Sequence, residues 1–126
     1  MTRWLVDGNN VFGSRPDGWW NDREAAAGRL AQRVAEWCRT HDDEVQLVFD
    51  APVAEATLDL AGGNLTIEEA PGRRRDAADD LIVERAAEAD EDEPLVVVTS
   101  DGGLRRRLPT AVEVMGVGRF RDLIGY

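Results

Sequence analysis

Leu95-Val96-Val97-Val98-Thr99 is the segment that most restricts the fold. Five consecutive apolar or β-branched residues without alternation describe a strand covered on both faces. Such strands lie inside parallel sheets with helices above and below. The run stops at Ser100-Asp101-Gly102-Gly103. Two other short apolar runs end in acid in the same way, Leu5-Val6 at Asp7-Gly8-Asn9-Asn10 and Val48-Phe49 at Asp50. A fourth acidic group, Asp76-Ala77-Ala78-Asp79-Asp80, opens a helical pattern. In an open parallel sheet, ligands bind outside the carboxyl ends of the strands, where strand order reverses. Carboxylates gathered there repel one another unless a cation lies among them. The pattern therefore points to a divalent-metal site, and phosphodiester cleavage is the chemistry that suits it.

The pass along the chain predicts strands over 3–7, 44–49, 64–69, 95–99 and 111–115. Helices are expected over 22–39, 76–89, 103–108 and 119–124, with a short one near 55–60. Gly, Pro, Asn and Trp crowd residues 8–21, which read as a loop. Strands alternating with helices give an α/β class with a mainly parallel five-stranded sheet and helices on both faces. Residues 1–126 are expected to form one domain. The strands ending at Asp7 and Asp101 are expected to be neighbours at the centre.

Composition removes several function classes. The chain has 126 residues, a net charge of −10, one Cys and one His. Cys38 and His41 alone cannot supply the ligand set of a Cys/His zinc site. Every basic residue is Arg, so a mechanism that needs an active-site Lys is excluded, including the P-loop. A single cysteine fits a reducing cytoplasm. The strand pattern begins at Arg3, so no signal peptide is expected, and no apolar run is long enough for a membrane helix. Cys38, Trp4 and Trp37 read as core. The acidic total opposes non-specific binding of nucleic acid, but the arginines are clumped at Arg73-Arg74-Arg75, Arg105-Arg106-Arg107 and Arg119 with Arg121.

Each acidic residue also has an ordinary explanation. Asp beside Gly is common in turns. Asp76 can cap its helix, and Asp79 and Asp80 suit the helix dipole. Asn9 and Asn10 can orient a water or a phosphate, or shape the turn after Asp7. Asp50 is either a peripheral carboxylate or a cap. Mg²⁺ and Mn²⁺ take oxygen ligands and keep several waters, so a hydrolase built on them needs no protein nucleophile and no His.

LVDGNN, LVFDA, DAADDLIVERA and VVVTSDGGLRRRL, in that order, resemble the NYN-domain nucleases of the PIN-like superfamily, and the YacP-like bacterial branch in particular. The resemblance covers nearly the whole chain. It implies a compact α/β/α sandwich and a metal-dependent endoribonuclease working with Mg²⁺ or Mn²⁺. It carries the family's first aspartate onto Asp7, its turn asparagine onto Asn10, its Ala-Asp-Asp pair onto Asp79 and Asp80, and its Thr-Ser-Asp aspartate onto Asp101. Asp7, Asp79 and Asp101 would form the metal shell, with Asp76 and Asp80 in support and Asn10 positioning substrate. Asp76 has no clear family counterpart, and Trp19-Trp20 and the short segment after Asp50 depart from the pattern.

RNA is the expected partner. Arg15, Arg73, Arg74, Arg75, Arg105 and Arg106 are placed around the acidic mouth, where guanidinium groups can hold phosphates. Trp19 or Trp20 could stack a base. Solvated helix ends and core packing compete with these assignments. Three rivals stand beside the nuclease reading. One is a weak or inactive PIN-like module that binds RNA or a ribosome surface, one is a small-molecule phosphohydrolase, and one is a PIN-type toxin. Asp7-Gly8-Asn9 lacks the second aspartate of the phosphatase Asp-x-Asp motif, and Gly8 is not followed by the Gly-x-x-Gly of a dinucleotide site. The sequence sets no oligomeric state, and a homodimer is compatible with it.

Overall fold

The computed structural model describes residues 2–50, 52–71 and 77–126. Its five strands are β1 (Arg3–Asp7), β2 (Glu44–Phe49), β3 (Leu65–Glu69), β4 (Leu95–Val98) and β5 (Glu113–Met115). The helices are α1 (Gly8–Gly13), α2 (Arg23–Cys38), α3 (Glu55–Leu58), α4 (Ala77–Glu88), α5 (Gly102–Arg107) and α6 (Val117–Ile124), with a 3₁₀ turn over Trp19–Asn21. The sheet order is β3-β2-β1-β4-β5, and every pairing is parallel. "Mainly parallel" becomes wholly parallel, and the predicted neighbours β1 and β4 pair directly, with Val6 opposite Val98.

Strand alternation builds the two faces. Trp4, Val6, Val45, Leu47, Phe49, Val96 and Val98 pack with residues of α1, α2 and α6. Leu5, Val48, Leu95 and Val97 pack with residues of α4 and α5. All four residues of β4 are buried, as an unbroken apolar run requires. Trp4 and Trp37 meet edge-on in the core with centroids 5.9 Å apart, and Cys38 is buried beside them. Burial pushes the Cys38 thiol up to about 11, so it is an inert core group at neutral pH.

The order also locates the ligand end. The chain runs outward from β1 through β2 to β3, then returns across β1 to lay down β4 and β5. Strand order therefore reverses between β1 and β4, at the carboxyl ends where Asp7 and Asp101 stand.

One prediction fails clearly. Residues 8–21 are not a loop: α1 occupies Gly8–Gly13 and the 3₁₀ turn Trp19–Asn21. Gly and Asn are poor helix formers, so tertiary contacts hold α1. Val11 and Phe12 are buried, and the amide oxygens of Asn9 and Asn10 accept bonds from Asp50 N at 2.9 Å and Ser100 N at 2.7 Å. Gly8 is required by space. A Cβ there would lie 2.6 Å from Phe49 Cε1 and 2.8 Å from the Val48 carbonyl oxygen. Gly8→Ala is therefore expected to destabilise the fold by about 1–3 kcal/mol, because a packed ring and a backbone oxygen must both move. Urea denaturation checks this, and an unchanged midpoint would contradict the packing account.

Candidate active site

Asp7 is the last residue of β1. Alternation turns it to the same side as Leu5, toward α4. It is only 5% exposed, one of very few buried polar residues among those described. Thr99 follows β4 and donates its hydroxyl to Asp7 Oδ2 at 3.0 Å. The backbone N–H of Asn10 also supports this carboxylate. Even so, its pKa is raised from 3.8 to about 7, first by burial, and further by the charges of Asp79 and Asp101. Three predicted residues are thus close enough to interact electrically. Strong perturbation of a buried carboxyl in such a place marks a functional candidate.

Asp79 stands in the first turn of α4, half-buried. The helix is brought there by Asp50, whose Oδ1 accepts from Ala78 N at 3.2 Å. Asp50 is therefore a cap, but for a helix distant in sequence rather than for the next segment. Asp80 is ion-paired with Arg107, at 2.7 Å, which ties α4 to α5. Asp76 and Arg73, Arg74 and Arg75 lie outside the described residues.

Asp101 is exposed and caps α5, its Oδ1 accepting from Gly103 N at 2.8 Å and Leu104 N at 3.2 Å. The turn chemistry weighed in the sequence thus operates here, yet the same residue charges Asp7. Its own N–H donates to Thr99 Oγ1 at 3.1 Å, so Asp101, Thr99 and Asp7 form one chain of bonds. Asn10 uses its amide oxygen to pin the β4–α5 loop at Ser100. Ser100 Oγ in turn accepts from Val117 N, at the start of α6.

Thr99 and Ser100 were missed as site residues. The signal was present, a hydroxyl pair directly before an aspartate at a strand end, but a hydroxyl has no obvious task until the neighbouring strand is known. Thr99→Val removes the bond that lowers the Asp7 pKa. Carboxyl NMR should find Asp7 titrating still higher in this variant, and a titration that stays put would remove Thr99 from the network.

The arginines divide. Arg105 and Arg106 are exposed on α5, with Arg106 folded back beside Gly102 and Gly103. Arg15 lies after α1, 4.6 Å over the Tyr126 ring and 3.8 Å from Asp17. Trp19 is partly buried against the core, whereas Trp20 is 58% exposed.

Among the described residues, no three acidic or other ligand side chains are already close enough to hold one ion. Mg²⁺ does not need such a cage, because it commonly binds through one or two carboxylates plus water and substrate phosphate. The donors here are all oxygen, and like charge crowds Asp7, so the group fits a hydrated dication. A cavity of about 550 Å³ lies elsewhere, between the end of α2 and Gly62–Leu65. Cavity size therefore does not favour the Asp7 end; the topology and the buried carboxylate do.

A parallel α/β/α sandwich with a buried aspartate at its topological switch point is the architecture of the PIN-like nuclease domains that the motifs resembled. Over residues 4–108 the sequence matches the YacP-like NYN domain, and the chain belongs to that family, a PIN-like nuclease family. Crystal structures of Rae1 (YacP) from Bacillus subtilis share the fold. One has a TM-score of 0.78 at 23% identity, covering 99% of this chain and 74% of that one. A point mutant of the same protein gives 0.77 at 23% identity, covering 99% of this chain and 76% of that one. No curated protein matches the chain.

Proposed function

We propose that this chain is a metal-dependent endoribonuclease that cleaves RNA phosphodiester bonds with Mg²⁺ or Mn²⁺. The observation that carries the reading is Asp7, buried at the switch point, with its carboxyl held near neutrality by burial and by Asp79 and Asp101. In this reading Asp7, Asp79 and Asp101 hold the cation, with Asp76 and Asp80 in support. The bound ion supplies a water of lowered pKa and neutralises charge on the phosphate. Thr99 and the Asn10 N–H fix the orientation of the Asp7 carboxylate. The amide nitrogen of Asn10, opposite the oxygen bound to Ser100, is the donor that contacts a substrate phosphate. Arg105 and Arg106, on the helix that starts at Asp101, bind flanking phosphates, and Arg107 steadies Asp80.

Residues 1–126 act as one catalytic domain in this reading, and the setting is the cytoplasm. Among the described residues no helix is long and apolar enough to cross a membrane. A second reading, an RNA- or ribosome-binding module that does not cut, draws on the engagement of Asp101 in capping α5. Incubation with single-stranded and structured RNA, with Mn²⁺ or with chelator, separates the two. The nuclease reading expects internal cleavage only with the ion, and binding without cleavage under every condition would favour the second.

A further inference from the structure

The 3₁₀ turn Trp19–Asn21 carries an exposed aromatic ring braced from behind. Trp20 stands edge-on to Trp19, with centroids 5.8 Å apart and planes at 85°. Trp19 packs on Phe12 at 6.0 Å, and Phe12 on Phe49 at 6.4 Å. Phe12 belongs to α1, the helix that starts directly after Asp7, and Phe49 ends β2. A small cleft lined by Asn9, Phe12, Arg23, Phe49 and Pro52 joins this aromatic group to the carboxyl end of the sheet. The exposed indole is thus braced by core rings and sits on the same end of the molecule as Asp7.

A cation lies beside it. Arg23 is exposed, with its guanidinium 5.4 Å over the Trp19 ring. Arg15 and Arg29 both approach Asp17, at 3.8 Å and 3.5 Å, so their charge is shared with that carboxylate. An aromatic face interleaved with guanidinium groups is the arrangement that binds single-stranded nucleic acid, where bases stack and cations follow the backbone. A duplex keeps its bases stacked inside and cannot offer one to the ring.

We propose that Trp20, with Arg23 beside it, forms a stacking subsite for one unpaired base of the RNA, at the same end of the molecule as Asp7. This rests on the ribonuclease reading and adds to it a base subsite and the residue that forms it. Trp20 is a positioning residue, not a catalytic one.

The test uses the full chain and single-stranded RNA oligonucleotides carrying one abasic nucleotide at successive positions. Binding is read by fluorescence anisotropy in chelator, and cleavage is read with Mn²⁺. For intact RNA, Trp20→Ala should raise Kd and KM about tenfold or more, with kcat little changed and Trp20→Phe close to wild type. At one abasic position the wild type should lose the same factor, and Trp20→Ala should lose nothing further there. Equal affinities of wild type and Trp20→Ala for intact RNA would overturn the proposal while cleavage by both preserved the nuclease reading. So would loss of self-association in Trp20→Ala with RNA affinity unchanged, since the ring would then cover a second copy. If the wild type neither bound nor cut any of these RNAs, the nuclease reading would fall and this subsite with it.

Discussion

Asp7→Asn is expected to yield a folded protein that no longer cuts RNA and is more stable than the wild type above neutral pH. The sign follows from the raised pKa of Asp7, 3.8 in the ordinary state and about 7 in the fold. Below 3.8 the group is protonated in both folded and unfolded chains, and it makes no difference. Between 3.8 and about 7 the unfolded chain holds the charge and the folded one resists it, so stability falls as pH rises. Above about 7 the charge is buried in the fold, and the loss is complete, about 4 kcal/mol. Asparagine keeps the shape and an oxygen for the Thr99 hydroxyl, but carries no charge. The variant should therefore match the wild type in acid and exceed it increasingly as the pH passes through this window. Cleavage should fall about a hundredfold or more, since the residue that anchors the cation has gone. Urea denaturation across the window checks the stability, and a variant as pH-sensitive as the wild type would show that another group titrates. Cleavage at wild-type rate would take Asp7 out of the mechanism.

The second large effect concerns the ion itself. Added Mn²⁺ should raise the stability of the wild type, because a cation seated beside Asp7 removes the repulsion that Asp79 and Asp101 exert on it. At a hundred times its Kd the ion would contribute about 2.7 kcal/mol. For a chain of this size that is a rise in Tm of roughly 10 °C. Asp7→Asn should show little of it, and chelator should stop cleavage by the wild type. An equal rise in both proteins would place the ion elsewhere, for instance on the acidic run Asp90-Glu91-Asp92-Glu93.

How far these features were readable from sequence depended on whether the cause was local. The run at β4 was readable because burial on both faces leaves an unbroken apolar signature, whereas the pairing of β1 with β4 is a matter of strand order that right-handed crossovers alone do not fix. Helix α1 was not readable. Its six residues include two glycines and two asparagines, and it is held by Asp50, Ser100 and the core, which lie far away in the chain. The helix α6 begins two residues before the predicted start because Ser100 receives the Val117 N–H. The acidic residues could be named from their motifs, but not the state of each one. That Asp7 is buried while Asp101 is exposed and caps α5 depends on the order of strands, and so does the role of Thr99. Of the two adjacent tryptophans, the outward one could be identified only once Trp19 was seen packed on Phe12.

Calorimetric titration of Mn²⁺ near pH 7, in two buffers of different ionisation enthalpy, tests the seat of the cation most directly. Because Asp7 is about half protonated there, the wild type should take up Mn²⁺ and release a fraction of a proton per ion. Asp7→Asn should show neither the uptake nor the release. Superimposable isotherms for the two proteins would contradict the account.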